Sequence, residues 1–102
     1  MADVLAAFWR DSVQVARRDY HCAACTFVIL RGERYAYTAA KVDGDLVTLR
    51  EHTRCHELER RLKDVDGHFL FGELLNAPDY AVSPSEADVA EWASIFGMPW
   101  PS

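Results

Sequence analysis

The sequence predicts a single α+β domain spanning residues 1–102. Three observations lead there. Apolar residues recur at helical spacing near both ends, the middle alternates like antiparallel strands, and two compact His/Cys groups bracket that middle. A core over residues 21–65 and an acidic, aromatic-rich extension over 66–102 are the expected parts. With half its residues hydrophobic and 12% aromatic, the chain is too apolar for disorder. It has no apolar run of the roughly 20 residues a bilayer requires. Asp3 and the lack of a basic stretch argue against a signal peptide, so a cytoplasmic location is expected.

The first element is expected to be a helix. Val4, Leu5, Phe8, Trp9, Val13 and Ala16 form its apolar stripe, Asp3 its cap, and Arg10, Asp11, Gln14, Arg17 and Arg18 its polar face. Residues 26–30 are β-prone and lead into an Arg31-Gly32 turn. Residues 34–39 alternate, with Tyr35 and Tyr37 on one face. Asp43-Gly44 marks a tight hairpin from which Leu46 to Leu49 return, so two or three antiparallel strands are expected between 26 and 50.

From Thr53 the period changes. Leu58, Leu62 and Val65 make a helical stripe supported by the pairs Glu57–Arg61 and Glu59–Lys63, and the helix should stop before Gly67. Residues 68–75 suit a strand or a short helix equally, and Pro78 should end them. The last helix carries the clearest local signal. Ser83 is the expected N-cap, Pro84 the first helical residue and Glu86 the closing member of a capping box. Val89, Trp92, Ala93 and Phe96 form the buried stripe, and Gly97 is the stop.

All three cysteines fall in two groups, His21-Cys22-x2-Cys25 and His52-x2-Cys55-His56. Cys22, Cys25, His52 and Cys55 are four soft or borderline donors in two pairs, the pattern that holds one tetrahedral Zn²⁺. A redox Cys-x2-Cys normally sits between a strand and a helix start; here it precedes a β segment and leaves Cys55 unexplained. A disulfide would leave an odd cysteine. Cys55 would project from the first turn of a helix, where exposed N–H groups and the positive dipole end favour a thiolate. Between His52 and His56 the choice stays open. Adjacent residues on a helix point about 100° apart, which favours His52 as the partner of Cys55. His21 and His68 read as surface or supporting histidines.

The order knuckle, β-hairpin, helix is that of a treble-clef zinc finger. The string His21-Cys22-x2-Cys25, Ile29, Gly32-Glu33-Arg34-Tyr35, Asp43-Gly44 and His52-x2-Cys55 resembles small treble-clef zinc proteins of phages and bacteria over about residues 21–63. The resemblance implies a treble-clef fold and a metal, and leaves function open because this fold serves many roles.

A closed Cys3His set has no open position, so its Zn²⁺ is expected to be structural and the chain non-catalytic. Nucleases of the His-Asn-His type need a catalytic His or Asn that residues 35–51 lack, and zinc deaminases need a His-x-Glu element missing upstream.

Charge then divides the binding hypotheses. Residues 1–63 hold all eleven Lys and Arg with nine acids, for +2; residues 64–102 hold seven acids and no Lys or Arg, for −7. The acidic segment, with six of the twelve aromatics, suits a protein interface, with Trp100, Tyr80, Asp79 and Glu91 as candidate contacts. An acidic face in a phage-like protein could mimic nucleic acid and occupy a host nucleic-acid-binding protein, as anti-defence proteins do. Nucleic-acid binding through Arg50, Arg54, Arg60, Arg61 and Lys63 is the alternative, opposed by a sequence pI of about 5.2. No membrane partner and no small-molecule substrate are inferred.

Overall fold

The computed structural model describes residues 8–68, 70, 72 and 74–101. The secondary structure is mixed α+β, with two small antiparallel sheets and three α-helices among the described residues. The chain divides into two compact units, residues 1–53 and 54–102, a division that falls within the stretch 21–65. No helix is long and apolar enough to cross a membrane among the described residues.

The first unit is built on a three-stranded sheet in the order β1-β4-β5, with β1 at Phe8–Val15, β4 at Arg34–Val42 and β5 at Asp45–His52. The Asp43-Gly44 turn joins β4 to β5 as the sequence predicts. Both residues have positive φ, 51° and 86°, as a tight two-residue hairpin requires. A separate pair, β2 (Tyr20–His21) and β3 (Val28–Ile29), closes around the first cysteine group. Residues 26–30 therefore supply only a two-residue strand. The chain must turn tightly from Cys22 to Phe27, and that turn uses the backbone groups a longer strand would need.

The expected N-terminal helix is corrected: residues 8–15 are a strand. Trp9-Asp11-Val13-Val15 alternates with Phe8-Arg10-Ser12-Gln14, so the run satisfies period two as well as the helical period. Antiparallel pairing with β4, from Phe8 with Lys41 to Val15 with Arg34, then decides between them. Val13, expected in a buried stripe, is 59% exposed, whereas Ala16 is buried. Asp3, Val4 and Leu5 lie outside the described residues. Among the described residues, the apolar core of this unit is made mainly of small side chains, Ala16, Ala24, Ala36 and Ala40, around Ile29 and Tyr35, with Thr38 and Glu51 buried beside them.

The second unit opens with α1 (Thr53–Arg61), as expected from the change of period. Leu58 and Leu62 are buried, but Val65 is 83% exposed and is corrected out of the stripe. The cause is local. Asp64 accepts the N–H groups of Asp66 (2.9 Å) and His68 (3.0 Å), so its carboxylate holds a turn where the helix would otherwise continue. A 3-10 turn at Leu74–Asn76 runs into α2 (Ala77–Tyr80). Pro78 thus lies in the first turn of a helix instead of ending one, since a proline there forfeits no helical bond. Phe69 and Phe71 lie outside the described residues.

The last helix, α3, runs Glu86–Phe96 and stops at Gly97, left-handed with φ 67°, as expected. Its cap is Ser85, whose hydroxyl accepts from Asp88 N at 3.0 Å; Ser83 instead sits at φ 50° in the turn before it. The capping pair is therefore Ser85 with Asp88, shifted two residues along the chain.

Trp92 anchors this unit. It is buried at 1% exposure, donates its Nε1–H to the Leu74 carbonyl at 2.7 Å, and lies against Phe96 and Trp100 at ring distances of 4.8 and 5.3 Å. Trp92→Ala is expected to cost about 3–5 kcal/mol. Trp92→Phe keeps the packing, strands one carbonyl and should cost about 1–3 kcal/mol. Urea unfolding checks both, and a Trp92→Phe midpoint equal to that of the wild type would deny the hydrogen bond any role.

Candidate metal centre

The first two donors are set by the turn between β2 and β3. Cys22 N donates to Phe27 O and Thr26 N to Cys22 O, each at 2.9 Å, folding residues 22–27 into a knuckle. Thr26 takes φ 69°, a left-handed conformation that for a β-branched residue costs on the order of 1–3 kcal/mol. A second bond, Ala23 N to Arg50 O at 2.8 Å, fastens the knuckle to β5. That brings the cysteines to the end of the strand carrying His52.

Backbone amides converge on the sulfur of Cys22. Cys25 N lies 3.5 Å and His52 N 3.3 Å from Cys22 Sγ, both as donors. N–H groups aimed at a buried sulfur favour its thiolate form. Cys22, Cys25 and Cys55 are all nearly inaccessible, at 2%, 4% and 1% exposure.

The imidazole of His52 is held at both nitrogens. Nε2 lies 3.0 Å from the Val28 carbonyl, which only accepts, so Nε2 carries the proton. Nδ1 then presents its lone pair 3.3 Å from Cys25 Sγ. A metal ligand whose other ring nitrogen donates to a backbone carbonyl is the usual arrangement at zinc centres, fixing ring orientation and tautomer. A tetrahedral ion with arms of about 2.0–2.3 Å separates its donors by roughly 3.3–3.8 Å, and the Nδ1–Sγ distance falls at that value.

Cys55 lies three residues after His52, in the first turn of the helix that directly continues β5. The ligand atoms of Cys22, Cys25, His52 and Cys55 all lie within 4.8 Å of one another. The donor set fits a zinc-type ion in number, softness and spacing. His56 is not among the four, so His52 is the histidine this arrangement offers.

The residues expected to bind partners are distributed differently. Arg54 pairs with Glu91 through Nε at 2.9 Å and reaches Ser94 Oγ at 3.3 Å; Arg61 pairs with Asp88 at 2.9 Å. Arg54 and Glu91, candidates from opposite hypotheses, thus neutralise one another within the second unit. Each such surface pair contributes only about 0.2–1 kcal/mol. Lys63 donates to Arg60 O at 2.8 Å, and Arg60 is exposed. Trp100 packs edge-on against Trp92 and is half-buried, while Asp79 and Tyr80 are exposed, Tyr80 at 52%. Arg50 lies apart from these, stacked on the rings of Tyr20 and Tyr37. A hydrogen bond with Tyr35 holds its guanidinium above the ordinary arginine value, against the lowering effect of burial.

No protein-family model, no curated protein and no solved structure matches the chain.

The assignment of His52 is tested by metal content. His52→Ala is expected to lose or strongly weaken zinc binding, and His56→Ala to retain one zinc per chain. Cys25→Ser should lose both metal and cooperative folding. Elemental analysis after gel filtration measures this, and full zinc content in His52→Ala would exclude His52 as the ligand.

Proposed function

We propose that the chain is a non-catalytic binding module stapled by one structural Zn²⁺ in a treble-clef arrangement. One observation carries the reading: four buried or half-buried Cys and His donors converge within 4.8 Å. Three sulfurs and one nitrogen take all four places of a tetrahedral ion, leaving none for water or substrate. The order of elements supports the treble clef, since a Cys-x2-Cys knuckle, the β4–β5 hairpin and a helix with a cysteine in its first turn follow one another. When bound, the ion would supply folding free energy, on the order of 10–16 kcal/mol in small zinc domains. A cytoplasmic, reducing setting keeps such thiolates available to metal.

The partner in this reading is a protein, met by the exposed edge of the acidic segment. Tyr80 beside Asp79, with Val82 and Leu75 at 50% and 46% exposure, offers an aromatic and aliphatic contact inside an acidic surround. Mimicry of nucleic acid, in the manner of anti-defence proteins, is the finer form of the reading and rests on the −7 charge of residues 64–102.

Cobalt replacement separates a closed site from a catalytic one. The Co²⁺ protein is expected to give tetrahedral d–d bands that added cyanide or azide leaves unchanged. A spectral shift on adding either anion would reveal an open position and contradict the structural reading. For the partner surface, a protein retained from lysate by the wild type should be lost on Tyr80→Ala. Undiminished retention would move the contact elsewhere.

A further inference from the structure

The register of the three-stranded sheet sorts its charges onto opposite faces. Residues paired across an antiparallel ladder project to the same side. Arg10 with Ala39 and Thr48, Ser12 with Tyr37 and Arg50, Gln14 with Tyr35 and His52, and Lys41 with Leu46 therefore share one face. Asp11 with Thr38 and Leu49, Val13 with Ala36 and Glu51, Val15 with Arg34, and Asp45 fall on the other. All three acids of the sheet (Asp11, Asp45, Glu51) lie on this second face. The first carries Arg10, Lys41 and Arg50 and no acid. A chain of net charge −5 thus presents one wholly cationic sheet face.

That face is also aromatic. The guanidinium carbon of Arg50 lies 4.4 Å from the Tyr20 ring centre and 5.3 Å from that of Tyr37. Arg18 lies 5.3 Å over Tyr20, and the Tyr20 and Tyr35 rings are 5.6 Å apart. Planar cations and rings therefore alternate from Arg18 through Tyr20 and Arg50 to Tyr37. Tyr35, with its hydroxyl on Gln14 at 3.2 Å, is buried among them. Arg50 Nε is buried without a hydrogen-bond partner, so its plane is held by stacking and by Tyr35.

We propose that this face binds single-stranded nucleic acid. Phosphates suit Arg10, Arg18 and Lys41, all exposed at its surface. Unpaired bases suit the Tyr37 ring at the end of this stack, because every base has a π-face to stack. Ser12, Gln14 and Thr48 supply uncharged groups for base edges. An acidic peptide would satisfy the cations but has no use for a ladder of rings and guanidinium planes. The inference rests on the zinc-stapled reading in one respect, since Cys22 and His52 fasten β2 to β5 and so align Tyr20 with Arg50.

Fluorescence anisotropy with labelled oligouridylate and oligothymidylate, on the order of 10 nucleotides long, tests it on the intact zinc-loaded chain. Saturable binding of either is expected, with the RNA-to-DNA ratio reporting the preferred sugar. Affinity should fall steeply between about 50 and 200 mM salt. Tyr37→Ala is expected to weaken it roughly 5- to 100-fold. Lys41→Glu, at an exposed position, tests the face without disturbing the ring stack and should also weaken binding. Arg60→Glu with Lys63→Glu should leave it unchanged. Zinc content and circular dichroism verify that each variant is folded.

No binding at low salt, undiminished binding by folded Tyr37→Ala and Lys41→Glu, or loss only in the Arg60/Lys63 variant would overturn the proposal. So would tighter binding to a duplex, or equal competition by polyglutamate, which would mark the face as a site for acidic protein. Binding by a folded chain that contains no zinc would leave this inference standing and defeat the zinc reading.

Discussion

Cys22 Sγ is the atom on which the first unit turns. It is buried, it receives amide hydrogens from Cys25 and His52, and it lies at the junction of the knuckle with β5. Those contacts favour a thiolate, and a buried thiolate without a counter-charge would be costly. A Zn²⁺ shared with Cys25, His52 and Cys55, as proposed, would remove that cost and tie the sulfur at covalent strength. Among the described residues, the apolar part of the surrounding core rests largely on alanines, with Ile29 and Tyr35 its large side chains. A chain of 102 residues buries only about two-thirds of its unfolded surface, so burial alone leaves a narrow margin. The strained backbone at Thr26 fits the same picture, because a left-handed β-branched residue persists only where neighbouring bonds fix the turn.

Electrostatics divide along different lines from the linear charge count. The acidic third of the sequence spends Asp88 and Glu91 on Arg61 and Arg54, inside its own unit. Asp66, Asp79 and Glu86 of the same segment stay exposed. In the first unit, the strand alternation separates the acids from Arg10, Lys41 and Arg50. A near-neutral stretch of chain therefore acquires a cationic face through pairing alone, and a low isoelectric point does not forbid it.

Features set by neighbours in sequence were legible in it. The x2 spacing of both donor pairs identifies the four side chains that the structure brings together. Asp43-Gly44 identifies the hairpin, the change of period at Thr53 identifies α1, and Gly97 identifies the end of α3. What stayed hidden depends on distant partners or on competing local bonds. Residues 8–15 satisfy two periodicities at once, and only the ladder with β4 chooses between them. Val65 leaves its stripe because the Asp64 side chain captures two amides. Ser83 carries the fuller capping signal, with Pro84 and Glu86 behind it, but the turn assigns it positive φ and leaves the cap to Ser85. The carbonyl of Val28, which orients His52, has no side-chain signal at all.

The central claim is that Cys22, Cys25, His52 and Cys55 hold one zinc ion with no position left open. X-ray absorption at the zinc edge of the purified chain measures this directly. The expected spectrum fits three sulfurs at about 2.3 Å and one nitrogen at about 2.0–2.1 Å. A chain that folds without zinc, or a first shell that needs an oxygen scatterer or fewer than three sulfurs, would contradict it.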